Sequence, residues 1–187
     1  MNDPKVLVVI DVQNGFKHPS MPASNNPACE ANVKRLLNAW RQREWPVVLV
    51  RHDSKSTTSV LRPGQVGNEF QPGVDGAKDL VVSKSVHSAF LGEPSLDAWL
   101  KAAGHNQLVI CGIQTNYCCE TTARMGNNLG YSVDFAIDAT RTFDLTDLDG
   151  NTVTAAELSR ITATNLHGEF ARVLTTEALL AELPELG

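Results

Sequence analysis

A chain of 187 residues with 42% hydrophobic and 20% charged content has room for one soluble globular domain with a sizeable core, not two. Its formal net charge of −5 argues against nucleic acid or an anionic membrane surface as partner. No apolar run reaches the length a helix needs to span a bilayer.

Lys5 to Ile10 (KVLVVI) is a continuous apolar run of strand length, the mark of a strand buried on both faces. It is too short for a signal peptide and is followed at once by Asp11. The four cysteines (Cys29, Cys111, Cys118, Cys119) have no metal or redox spacing, and two are adjacent, which suits no ordinary disulfide framework. A reducing, cytoplasmic setting is therefore expected. Residues 14–27, with Gly15, three prolines and three asparagines, read as a loop. A helix is expected from Ala28 to Arg43, its apolar stripe made by Val33, Leu36, Leu37 and Trp40. Val47 to Val50 reads as a second buried strand ending at Arg51-His52-Asp53.

Residues 54–79 form a long irregular stretch rich in glycine and proline, and so long a loop in a compact domain is usually functional or mobile. Leu80 to Ser83 reads as a third strand, ending at Lys84, and 85–94 as a loop with His87 and Phe90. Ser95 is placed to cap a helix carrying Leu96, Trp99 and Leu100. Asn106 to Tyr131 then reads as strand, sharp turn and helix. Gln107 to Cys111 is the strand, Gly112 relieves the backbone, and Thr115 is expected to cap a helix with Ala123, Met125 and Leu129 on one side. Gly130 stops that helix. Tyr131 to Ile137 is a fifth strand, and 138–151 a polar connection. Thr154 to Glu157 is a capping-box pattern before a helix with Leu158, Ile161 and Leu166. Ala171 to Leu174 is a sixth strand, and Thr176 opens a last helix. Alternating strands and helices with uniformly apolar strands predict a single α/β domain: three layers around a six-stranded, mostly parallel, Rossmann-like sheet.

In such sheets ligands bind outside the carboxyl ends of the strands. Asp11, Lys84 and the turn leading into Cys118 all fall on that rim. Cys118, expected in the first turn of its helix, has two readings. It is either a nucleophile whose thiolate is favoured by orphan amides and the helix dipole, or a buried structural cysteine. An acid, a cation and a thiol have a joint logic. Lys84 would lower the thiol pKa from its free value of about 8.5, and Asp11 would take the thiol proton and return it to a leaving group. The bland alternative for Asp11 and Lys84 is a strand-end salt bridge.

At Asp11-Val-Gln13, at Lys84 with Ser88-Ala-Phe90, and at Gly112-Ile-Gln-Thr-Asn-Tyr-Cys118, the chain resembles the isochorismatase-like cysteine hydrolases. That superfamily includes nicotinamidases and N-carbamoylsarcosine amidases. Gly130-Tyr131, Asp138-Ala-Thr140 and Glu169-Phe-Ala-Arg-Val173 agree too, so the likeness runs in order along nearly the whole chain. The resemblance implies an Asp11–Lys84–Cys118 triad, with Cys119 only packing. It also implies a cis peptide at Ile113–Gln114 that aims the amides of Gln114 and Cys118 at an oxyanion. The activity it implies is hydrolysis of a C–N bond in a small amide or carbamoyl compound through an acyl-thioester. Vinyl-ether cleavage, which does not need the thiol, and a catalytically silent binding member are the alternatives. Relatives are commonly dimers or tetramers, so self-association is expected. Nicotinamidases hold a metal through an Asp-x-His pattern after the second strand, where this chain has Arg51-His52-Asp53, and His87 and His105 do not restore the pattern. The metal-free branch is therefore expected, with no cofactor. Gln13, Phe16, His52, Phe90, Tyr117 and Phe143 are the expected substrate-binding residues.

Overall fold

The computed structural model describes residues 4–185. Its strands are β1 (Val6–Ile10), β2 (Val47–His52), β3 (Leu80–Lys84), β4 (Gln107–Ile113), β5 (Ser132–Arg141), a small hairpin of β6 (Leu145–Thr146) and β7 (Thr152–Val153), and β8 (Arg172–Leu174). Six of them form one sheet in the order β3-β2-β1-β4-β5-β8, and every neighbouring pair is parallel. All five residues of β1 are buried because helices cover both faces of the sheet. Val6, Val8 and Ile10 point into one core with Leu96, Leu100, Ala123 and Leu166, while Leu7 and Val9 point into the other with Val33, Leu37, Trp40 and Leu179. The first core lies under α2 (Leu96–Ala102), α3 (Glu120–Asn128) and α4 (Ala155–Leu166), and the second under α1 (Cys29–Gln42) and α5 (Thr176–Ala181). Among the described residues, no helix is long and apolar enough to cross a membrane.

Local signals formed much as expected at α2 and α4. Ser95 accepts from the amide of Ala98, and Thr154 and Glu157 complete a capping box. Four expectations are corrected. Thr115 caps no helix: it sits inside a π-helical turn over Thr115–Cys119, and its hydroxyl donates to Thr140 Oγ1 at 2.9 Å. β5 runs on through Asp138 and Thr140 to Arg141, after a register shift opposite Ile110 to Gly112, so the start of the expected polar connection is strand. Leu129 and Ile161 are exposed, at 40% and 46%, rather than part of their helices' buried faces.

The chain reverses its winding at β1. From there it builds outward through β2 and β3 on one side and through β4, β5 and β8 on the other. The gap between the ends of β1 and β4 is thus the switch point of the sheet, where an open α/β sheet offers its crevice. Gly112 is what lets β4 lie so close there. Its φ is +126°, and a Cβ at that position would meet the Ile10 carbonyl oxygen at 2.0 Å. Gly112→Ala is expected to cost about 4 kcal/mol or more of unfolding free energy, or to prevent folding. Urea titration measures it, and a variant within 1 kcal/mol of the parent (about the ordinary cost of a point mutation) would contradict the close approach.

Candidate active site

Asp11 follows the last residue of β1 with φ at +53°, in the left-handed region that Asp tolerates better than most residues. Lys84 closes β3, and Cys118 lies in the turn that leaves β4. Three chain segments far apart in sequence therefore meet at one point. Lys84 Nζ donates to Asp11 Oδ2 at 2.6 Å, to Cys118 Sγ at 3.3 Å and to His52 Nδ1 at 3.2 Å. Asp11 is 0% exposed, Lys84 2% and Cys118 7%. The ammonium has three protons and no lone pair, so these bonds use it up. Nδ1 of His52 must then accept, and the proton of its neutral ring is assigned to Nε2. Asp11 Oδ1 is buried with no hydrogen-bond partner among the described residues.

Burial decides the charge states. Desolvation pushes the Cys118 thiol up to about 12; the Asp11 charge adds to this, and Lys84 only partly opposes it. The expected depressed thiol pKa is thereby corrected. The turn puts the sulfur in a dry site beside a carboxylate, and burial outweighs both the ammonium and the helix start. Burial also raises Asp11, against the pull of Lys84. Lys84 loses by burial but gains more from Asp11 and Cys118, and stays above its ordinary range. His52 is lowered by burial and then by Lys84, which keeps it neutral. The Lys84–Asp11 salt bridge at 2.6 Å, which opposes the burial of the carboxylate, thus stands beside a thiol that burial keeps protonated.

A cavity of about 230 Å³ opens onto this cluster, lined by Asp11, Phe16, His52, Leu61, His87, Gln114, Tyr117 and Cys118. Of the expected substrate-binding residues, Phe16, His52 and Tyr117 line it. Gln13 does not: its side chain clamps the His52 peptide, donating to His52 O at 3.1 Å and accepting from His52 N at 2.9 Å. Phe143 stacks behind Phe16 at 6.0 Å and reaches the cavity only through it. Phe90 points into the core, stacked on Tyr131 at 5.5 Å. His87 and Leu61 line the cavity without having been assigned there from sequence. His87 had a signal in its place three residues after Lys84, while Leu61, deep in the 54–79 stretch, had none.

Asp11, His52 and Cys118 each offer a donor atom, all within 4.8 Å of one another, as a metal site would. Lys84 Nζ already lies among them and bonds to all three, so a second cation would sit against the ammonium. Asp53, next along from His52, has its Oδ1 engaged by Arg51 at 3.1 Å and Asn68 at 3.0 Å. These residues do not fit a resident metal.

The fold is a doubly wound α/β sheet, and the cluster lies at its switch point. The chain belongs to the isochorismatase family, whose Isochorismatase domain model matches residues 5–178. It is similar to YrdC of Bacillus subtilis, an uncharacterized isochorismatase family protein, at 33% identity over 96% of both chains. It is similar to Nicotinamidase 3 of Arabidopsis thaliana at 31% identity, over 95% of this chain and 87% of that one. An isochorismatase-family crystal structure from Chromobacterium violaceum superposes with a TM-score of 0.91 at 38% identity, over 96% of this chain and 93% of that one.

The charge arrangement makes a directional prediction. In Asp11→Asn the anion that disfavours the thiolate is gone while the ammonium remains. Iodoacetamide should then alkylate Cys118 at least tenfold faster at fixed pH, equivalent to one pKa unit or about 1.4 kcal/mol. Adding Lys84→Met should abolish the acceleration. Alkylation rates assigned by mass spectrometry measure this, and a rate that Asp11→Asn leaves unchanged or slows would refute the charge assignment.

Proposed function

We propose that the protein hydrolyses the C–N bond of a small amide or carbamoyl compound through an acyl-thioester on Cys118. The observation that carries this reading is the Lys84 ammonium, 2.6 Å from the Asp11 carboxylate and 3.3 Å from the Cys118 sulfur at the floor of the cavity. The similarity to a nicotinamidase supports the bond type.

Asp11 Oδ1, buried and without a partner, is the base. It takes the thiol proton as Sγ forms its bond to the carbonyl carbon, and the carbonyl π pair moves to oxygen. The backbone amides of Gln114 and Cys118, at either end of the turn that closes β4, receive that oxyanion. When the intermediate collapses, the C–N bond breaks and Asp11 returns the proton to the departing nitrogen. Water then adds to the thioester, releasing the acid and restoring the thiol. Lys84 remains an ammonium throughout, holding the anion of the pair whether it rests on oxygen or on sulfur. A thiol that rests neutral is guarded against chance alkylation and becomes a nucleophile only when a substrate shares the transition state. Phe16, Leu61 and Tyr117 give the cavity apolar walls, and its about 230 Å³ suits a small acyl group.

Two measurements test this. In a screen of small amides, ureas and carbamoyl compounds for ammonia release, Cys118→Ala should lose at least about 1000-fold in rate, while Cys119→Ala, whose thiol is fully buried in the core, keeps the activity within about tenfold. A dead Cys119→Ala with an active Cys118→Ala would overturn the assignment of the nucleophile. Activity should also survive prolonged chelation and dialysis. Loss on chelation with recovery on adding zinc or iron would mean that a metal, not Lys84, holds the cluster together.

A further inference from the structure

Two imidazoles flank the Cys118 sulfur. His52 is half-buried, and its Nδ1 lone pair is committed to Lys84 at 3.2 Å. His87 is exposed, lines the cavity, and brings Nδ1 to 3.7 Å from Sγ. Its ring leans on Tyr117, centroids 5.6 Å apart at 37°. The loop that carries it is tightly held. Ser83 and Glu93 exchange two backbone hydrogen bonds of 2.8 Å at its base. Just before Phe90, whose ring is buried, the loop is tied to α3: Ser88 Oγ donates to Met125 Sδ at 3.0 Å, and the Ala89 amide donates to Thr122 Oγ1 at 3.0 Å. His87 is therefore an imidazole fixed beside the reacting sulfur on its solvent side, whereas Asp11 is enclosed at 0% exposure.

We propose that His87 is the general base for the second half of the reaction, activating the water that hydrolyses the thioester, with Asp11 serving the first half. This rests on the thioester reading above. Water reaches an acylated Cys118 from the cavity mouth, where His87 stands. Of the two imidazoles beside the sulfur, His52 has its free nitrogen occupied by Lys84, which leaves Nδ1 of the exposed His87, 3.7 Å from Sγ, for the incoming water. His87 Nδ1 takes one proton from the water as the oxygen bonds to the thioester carbon and the π pair moves to the carbonyl oxygen. The tetrahedral adduct then collapses, the C–S bond breaks, and the sulfur leaves with its electron pair. The proton on His87 passes to that sulfur across the same short gap, restoring neutral thiol and neutral imidazole. Imidazole suits both directions of transfer because one ring nitrogen can accept a proton and give it back. The two halves of the cycle thus use two different bases.

The test uses the intact protein and 4-nitrophenyl acetate as acyl donor. Nitrophenolate release reports acylation, and mass spectrometry of quenched samples reports loss of the acetyl group from Cys118. His87→Ala and His87→Gln should acylate within about threefold of the parent but lose the acetyl group about 100-fold more slowly, the range of a missing general base. Added imidazole should restore part of the rate in His87→Ala, an effect that a merely structural role would not produce. Equal rates of acetyl loss in parent and variants, or a parallel fall in both steps without imidazole rescue, overturns the role of His87 and leaves the thioester reading standing. Absence of any acetyl group on Cys118 in the parent overturns the thioester reading, and the inference with it.

Discussion

The structure depends on one buried ammonium. Lys84 stands at the end of β3 with its charge out of water, and such a group is tolerable only if every proton finds an acceptor. Asp11, Cys118 and His52 are those acceptors, drawn from the ends of β1, β4 and β2. The arrangement is demanding in both directions. Removing the ammonium leaves a carboxylate buried beside a thiol, and removing the carboxylate leaves the ammonium with two neutral partners. Breaking a buried pair in this way typically costs about 3–5 kcal/mol. The same cluster also sets the chemistry, since one positive charge in a dry site can balance one negative charge and no more. The carboxylate takes it at rest and the thiol stays protonated. In the proposed reaction, reactivity is therefore held in the geometry of a proton transfer rather than in a standing thiolate.

A second layer of buried polar groups keeps the rim in shape. Gln13 grips the His52 peptide from both sides, and Asn68 donates to His52 O, Asp53 Oδ1 and Leu61 O. Gln71 reaches back to Gln13 O at 3.1 Å. Through these bonds the irregular 54–79 stretch is tied to the ends of β1 and β2 and lays Leu61 over the cavity. A loop with few apolar anchors is thus ordered by amide side chains, each of which satisfies backbone groups that would otherwise be buried without partners. The cavity stays small because this loop closes one side and the Phe16–Phe143 stack closes another.

Helices and strands were legible in the sequence because each rests on a short-range pattern. The run KVLVVI, the stripe Val33-Leu36-Leu37-Trp40 and the Thr154-to-Glu157 box all formed close to where periodicity and capping put them. The rim position of Asp11, Lys84 and Cys118 was legible too, because a parallel sheet must place the carboxyl ends of its strands together. Three things were not. Whether Phe90 and Phe143 face a cavity or a core depends on what packs against them, and Tyr131 and Phe16 come from distant segments. The π-helical turn at Thr115 follows from the 3.1 Å bond of the Cys119 amide to Gln114 O, which no spacing of residues announces. The sign of the Cys118 pKa shift was reversed because helix-start and lysine effects are local, whereas desolvation is a property of everything that surrounds the sulfur.

By itself, then, the sequence determined the layered α/β architecture, the residues available at the switch point and the family to which they belong, since these follow from local periodicity and from residue order along the chain. The tertiary structure decided which side chains meet and in what charge state: the three bonds of Lys84, the neutral thiol, and His87 beside the sulfur. Those depend on burial and on distances of a few ångströms between segments far apart in the chain, and long-range proximity of that kind is not written in any short stretch of sequence.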